Sequence, residues 1–285
     1  MSPDLRTLTL QNIPDAIHVI NESSRGTSLE YALDTMGFLW LSRYWNFSYE
    51  HSLMLYVQDE PAALAIHCTD PPAHEAYTFY WGALPRFRSP RISLTLAEAC
   101  ATKLHGDGYT TVDGDTIPDR PVRRWRFVHF YPVGGLADMQ AESPALPATD
   151  PNYEVRRIEI DDLSPLPPAQ PVHWCQRHNF LRNAAPFLEF SGAFAGDTLK
   201  ACMVLQTSSA KPVLLDVRSA DPSLAPGYEL LRRLVHGHSP PFKAIFVSTE
   251  SYLHRLLTAA SFGATREFFH VRRDLRTSCS IQTGP

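Results

Sequence analysis

Two nine-residue stretches constrain this chain most. Leu5-Arg6-Thr7-Leu8-Thr9-Leu10-Gln11-Asn12-Ile13 and Val155-Arg156-Arg157-Ile158-Glu159-Ile160-Asp161-Asp162-Leu163 alternate apolar and polar side chains, each with Arg in second place, and Leu8 and Ile158 stand 150 positions apart. Alternation with a period of two marks a half-buried strand, because successive side chains of an extended backbone point to opposite faces. The recurrence at the start of each half points to an internal duplication. At 285 residues, each copy has the length of an ordinary domain. Between them, Glu142 to Asn152 (ESPALPATDPN) carries three prolines, no aromatic residue and no periodicity, which is linker chemistry. The expected domains are residues 1–141 and 153–276, with a linker at 142–152 and a tail at 277–285.

Composition narrows the function classes. With 26 Lys+Arg against 30 Asp+Glu, the net charge of -4 argues against a chain built to neutralise nucleic-acid phosphates. No run approaches the roughly 18 consecutive apolar residues of a membrane-spanning helix, and Asp4 and Arg6 open the chain where a secretion signal would place its apolar core. A cytoplasmic protein with no membrane partner is expected. Cys68, Cys100, Cys175, Cys202 and Cys279 are odd in number and far apart, which fits reduced, mostly buried thiols better than disulfides or a zinc site. His236-Gly237-His238 has no Cys or carboxylate cluster beside it and reads as a polar loop, so no metal is expected. Asn46-Phe47-Ser48 fits the glycosylation pattern, which carries no meaning without secretion.

Along the first half, Ala16–Glu22 and Leu29–Tyr44 carry helical spacing. Ser52–Val57 and Pro61–His67 read as strands around the Gln58-Asp59-Glu60 turn, and Ala76–Leu84 reads as an aromatic strand. A basic loop, Pro85 to Arg91, leads into a helix over Ile92–Leu104, and Tyr109–Val112 is the next strand. The second half repeats the order after a shortened start. Leu199–Gln206 and Pro212–Val217 are strands, Ser219–Gly227 a loop, Tyr228–His236 a helix, Phe242–Ser248 a strand, Ser251–Ala260 a helix and Arg266–Arg272 a final strand.

That order, twice over, resembles the GNAT N-acyltransferase superfamily across nearly the whole chain, as two tandem domains. The resemblance implies an α/β fold of the α+β kind: a mixed, mostly antiparallel sheet flanked by helices and splayed around an acyl-CoA. The family's motif places Gln or Arg, two residues, Gly, one residue, then Gly or Ala between the fourth strand and the following helix. Backbone N–H groups at the helix N-terminus there hold the CoA pyrophosphate. In the first half the stretch is Arg88-Ser89-Pro90-Arg91-Ile92-Ser93: the leading Arg is kept, Arg91 and Ser93 occupy the glycine positions, and Pro90 removes a donor. The arginines offset this with charge suited to phosphate. In the second half, Pro222-Ser223-Leu224-Ala225-Pro226-Gly227 keeps the closing Gly and loses the Arg. The copies end alike in Phe130–Leu136 and Leu256–Gly263, with Tyr131 and Leu257 as counterparts.

For the chemistry, the resemblance implies a backbone N–H that polarises the thioester carbonyl beside a bulge in the fourth strand, near Gly82, Ala83 and Leu84, where Gly82 suits the bulge. It implies Tyr131 as the acid that protonates the departing thiolate. A base comes from His67, Glu75, Asp113 or His129, unranked, or from a water chain. The first domain is the expected CoA site, with Gly82, Ala83, Leu84, Arg88, Ser89, Arg91, Ile92 and Ser93 as contacts; Gly227 keeps the opposite assignment open. Phe38, Trp40, Tyr44, Trp45, Phe47 and Tyr49 fall where the family shapes its acceptor site. The expected activity is transfer of an acetyl group from acetyl-CoA to the amine of a small molecule, and a homodimer is left open. The alternative is a catalytically silent GNAT-fold ligand-binding or structural protein.

Overall fold

A computed structural model describes residues 3–116, 123–166, 168, 170, 172–208 and 211–278. Cys279 and the end of the expected tail lie outside them. The first copy runs β1 (Asp4–Thr7), α1 (Ile13–Ser24), α2 (Thr35–Trp45), β2 (Phe47–Val57), β3 (Glu60–Asp70), β4 (Glu75–Ala83), α3 (Pro90–Gly106), β5 (Thr111–Asp115), α4 (Arg123–Phe127) and β6 (Tyr131–Ala141). The second runs β7 (Glu154–Arg157), α5 (His178–Ala184), β8 (Leu188–Ala195), β9 (Thr198–Gln206), β10 (Val213–Ser219), α6 (Ala225–Gly237), β11 (Phe242–Ser248), α7 (Tyr252–Ala259) and β12 (Gly263–Asp274), before α8 (Leu275–Ser278).

Local chemistry sets several boundaries. α2 starts later than the periodicity from Leu29 suggests, because the Asp34 carboxylate caps the Gly37 N–H at 2.7 Å. It stops at Asn46, which adopts φ +55°. Gln58 and Asp59, at φ +55° and +61°, make the tight turn that joins β2 to β3. The two alternating stretches behave as true counterparts. Each forms a four-residue strand and then one 3-10 turn, in which the side chain of Asn12 or Asp162 accepts the backbone N–H of Thr9 or Glu159.

The chain forms two compact units, residues up to Val133 together with those from Phe269 onward, and Gly134–Phe268. In the first unit the strand order is β1-β2-β3-β4-β5-β12, with the end of β12 antiparallel to β5 from His270↔Asp115 to Asp274↔Thr111. In the second it is β6-β11-β10-β9-β8-β7, with β6 antiparallel to β11. Each unit is thus completed by a strand that a linear split assigns to the other copy. The expected linker, residues 142–152, lies inside the second unit. There Ala145 N–H donates to Ala260 O, Asp150 N–H to Glu229, and Arg232 to Pro147 O. A proline-rich strap lacks donors but keeps its carbonyls, which suits it to lie against a helix bearing arginine.

In the first unit α1 and α2 cover one face of the sheet over Leu8, Met54, Leu64, Ile66 and Tyr80. α3 covers the other over Leu53, Leu55, Ala63 and Ala65. In the second unit α6 and α7 pack on Met203, Leu205, Leu214, Val217, Ala244 and Val247. Among the described residues, Cys68, Cys100, Cys175 and Cys202 are buried and outside any disulfide, and no helix is long and apolar enough to cross a membrane.

Candidate acyl-CoA site

The site grows from one inserted residue. β4 and β5 run parallel and paired from Glu75↔Thr111 to Thr78↔Gly114. On its other side β4 pairs with β3, and between Ile66↔Tyr80 and His67↔Thr78 the extra residue is Phe79. A bulge increases local twist and re-aims the strand. Pairing with β5 ends one residue before it, so β4 from Phe79 onward borders an opening. The bulge therefore stands at Phe79 rather than at Gly82. Gly82 and Ala83 are regular partners of Leu64 and Ala63, and Leu84 N–H is committed to Ala62 O. Gly82 has a different reason to be glycine: a Cβ there would come within 2.5 Å of Ser23 Oγ and Tyr80 Oη, which are themselves hydrogen-bonded.

The basic loop closes the same end of β4. Arg88 donates to Ser23 O at 2.8 Å and to Ala83 O at 3.3 Å, tying the end of α1 to the end of β4. At the start of α3, Ser89 caps the Ile92 N–H with its Oγ, Ser93 N–H bonds to Ser89 O, and Pro90 has no N–H. This leaves the Arg91 N–H, with an exposed Arg91 side chain, to meet an anion at that helix end.

The second unit repeats the opening with different chemistry at the helix. β10 and β11 pair in parallel only at Val213↔Lys243 and Leu214↔Ala244, and Leu215 is the extra residue of β10 opposite β9. At the start of α6 the Ala225 N–H goes to Ser223 Oγ, Pro226 has none, and the Tyr252 hydroxyl donates to Ser223 O. Gly227 lies inside the helix, and a Cβ would meet Leu256 and Tyr252 at 2.7 Å. Its small size serves the approach of α6 to α7.

No family model and no curated protein matches the sequence. Solved structures do. An N-acetyltransferase related to GCN5 from Sphaerobacter thermophilus aligns over 96% of this chain and 96% of its own, with a TM-score of 0.69 at 12% identity. A tandem GNAT protein from the clavulanic acid biosynthesis pathway aligns over 96% and 99%, with 0.67 at 10% identity. The fold is a tandem GNAT fold. A putative acetyltransferase from Pyrococcus horikoshii shares it over 95% and 89%, with 0.65 at 10% identity.

Within the first GNAT unit, the face bearing α2 holds a buried ionic network built by β4, β5 and β12. Tyr77 donates to Asp115 at 2.6 Å; His270 lies 3.2 Å from Asp115 and 3.4 Å from Asp113; Arg272 holds both oxygens of Asp113 at 2.6 and 2.9 Å. Burial alone would lower the His270 pKa, but the two carboxylates outweigh it and hold it at about 9. Burial likewise opposes ionisation of Asp113, and Arg272 and His270 overcome it, keeping that carboxyl below its ordinary value. On the α3 face, fully buried Arg273 grips both oxygens of Glu98 and the carbonyls of Ala97 and Val128.

The four base candidates are not brought together. Asp113 is consumed by the network. His67 is buried and held neutral, its pKa lowered to about 3 by desolvation and by His51, with Nδ1 3.3 Å from Thr78 Oγ1. Glu75 opens β4, and His129 is a left-handed turn residue 3.9 Å from Glu98. Tyr131 is the exposed first residue of β6. Its pairing with Leu257 does not hold. Phe130 N–H reaches Trp125 O just as Phe262 N–H reaches Leu257 O, with His129 and Ser261 both at positive φ, so the counterpart of Leu257 is Trp125. The aromatic group gathers at the bulge: Trp45 stacks on Tyr77 at 5.9 Å and meets Phe79 at 5.1 Å, Phe47 meets Phe79 at 4.6 Å, and Trp40 stacks on Tyr44. Sequence reading missed Phe79, His270, Arg272 and Arg273. A break in the β4 alternation was the only signal for the first, and the other three come from a strand more than 150 residues away.

Proposed function

We propose that the protein is an N-acyltransferase that moves an acetyl group from acetyl-CoA to the amine of a small molecule, with acetyl-CoA held by the first unit. The observation that carries this reading is the opening of β4 from β5 at the Phe79 bulge, directly ahead of a helix whose Arg91 N–H and side chain are available to phosphate. Unpaired β4 backbone at the bulge supplies a dipole to polarise the thioester carbonyl. The aromatic wall of Trp45, Phe47 and Phe79 suits an acceptor with an apolar body, and Tyr131 is the candidate acid for the leaving thiolate. The neighbours named as acetyltransferases support the reaction class.

A second reading, a catalytically silent ligand-binding or structural protein, is favoured by the loss of one donor at Pro90 and by the commitment of Arg88 to Ser23 and Ala83. Calorimetric titration of the full chain with acetyl-CoA, together with thiol release in the presence of a panel of primary amines, separates the readings. Binding that weakens at least tenfold in Arg91→Glu supports the site, and thiol release supports transfer. Binding without release supports the second reading, and no binding at millimolar acetyl-CoA refutes transfer.

A further inference from the structure

We infer that the second unit's opening is filled by its own chain, residues 173–177, so that the protein takes up one acyl-CoA per chain; the count of one rests on the reading above. β10 and β11 part after Leu214 and Ala244, as β4 and β5 part in the first unit. At the bulge, the Leu215 carbonyl accepts from Gln176 Nε2 at 3.3 Å. Arg218, also on β10, donates to the Gln176 carbonyl, to Leu166 O, and to Asp216 at 2.6 Å. From β11, the Phe246 ring stacks on His173 at 4.2 Å and 8°. One turn, Trp174–Gln176, therefore reaches from one parted strand to the other, and His173, Trp174, Cys175 and Gln176 are all buried. Arg177 lies over the Trp174 ring on the way out of the turn.

The turn brings polar groups to the parted strands, Gln176 Nε2 to the Leu215 carbonyl and the Gln176 carbonyl to Arg218, while Gln176 Oε1 stays buried without a hydrogen-bond partner. A bulge strips a strand of ladder partners, and a buried carbonyl left so is costly unless something bonds it. In the second unit Gln176 does that, and the buried Asp216–Arg218 pair is satisfied through the same turn. An entering thioester would displace Gln176 and leave Leu215 O and Arg218 short of partners. At the start of the helix beyond, the Ala225 N–H is taken by Ser223 Oγ and Pro226 has none. The shortened start of the second copy, a turn and the seven-residue α5 where the first copy has the longer α1 and α2, is what brings this segment to the opening.

Cys175, inside the turn, reports on it. Equilibrium dialysis with labelled acetyl-CoA on the full chain is expected to give one equivalent. Mass spectrometry after N-ethylmaleimide is expected to find Cys175 unmodified with or without saturating acetyl-CoA. Gln176→Ala should speed Cys175 modification at least tenfold while Cys202, in β9 of the same unit, stays protected. Arg218→Met, which withdraws the donor to the Gln176 carbonyl, gives the same readout should Gln176→Ala unfold. Two equivalents bound, modification of Cys175 induced by acetyl-CoA, or Cys175 equally protected in a folded Gln176→Ala variant would each overturn the inference. Zero equivalents with Cys175 protected in the wild type and released in the variant would leave the filled opening standing and remove the acyl-CoA reading instead.

Discussion

Replacing His270 with Gln tests whether the last strand is clamped into the first unit by charge. The imidazole sits between Asp113 and Asp115, almost wholly buried, with its pKa raised from 6.5 to about 9. A raised folded-state pKa means the protonated form binds the fold more tightly. The contribution is therefore complete below pH 6.5, where the unfolded chain is also protonated, and disappears as pH rises through about 9. The interval between the two values corresponds to about 3 kcal/mol. Gln fills similar space and keeps a donor while removing the charge. Urea unfolding of wild type and His270→Gln, followed by tryptophan fluorescence, should show a destabilisation about 3 kcal/mol larger at pH 6 than at pH 10. Four of the five tryptophans (Trp40, Trp45, Trp81, Trp125) report on the unit concerned. Titrations of groups that do not interact with His270 cancel because the two proteins share them, and the coupled carboxylates Asp113 and Asp115 are ionised at both pH values. A destabilisation that is the same at both pH values would show that the network is held by packing and not by the imidazolium.

Two further outcomes are expected. Gly227→Ala should cost about 1–3 kcal/mol by forcing α6 away from Leu256 and Tyr252, while acetyl-CoA affinity stays unchanged; a stable variant with weakened binding would return the CoA site to the second unit. Tyr131→Phe should lower kcat with little change in acetyl-CoA affinity if its hydroxyl protonates the thiolate, and an unchanged kcat would remove it from the chemistry.

The repeat was readable because its signals are local. Alternation in Leu5–Ile13 and Val155–Leu163, the turn at Gln58-Asp59 and the apolar period of α3 each depend on side chains within a few positions of one another. The site was less readable. Gly82 sits where the bulge is expected and Arg88 and Gly227 at motif positions, yet Gly82 makes room for Ser23 and Tyr80, Arg88 is spent on the ends of α1 and β4, and Gly227 lets two helices touch. Small or basic residues in a loop are compatible with phosphate binding and with packing alike, and only the neighbours decide between them.

Taken alone, the sequence determined that two copies of one strand-and-helix pattern are present and where most elements lie, since period and capping are properties of contiguous residues. The tertiary structure decided which copy each strand completes, because pairing of β5 with residues 270–274 and of β11 with residues 136–141 is a long-range choice invisible to local pattern. It likewise decided where the sheet opens. One extra residue at Phe79 or Leu215 is defined only against the partner strand, and what meets the second unit's bulge is a segment some 40 residues earlier in the chain, His173 to Arg177.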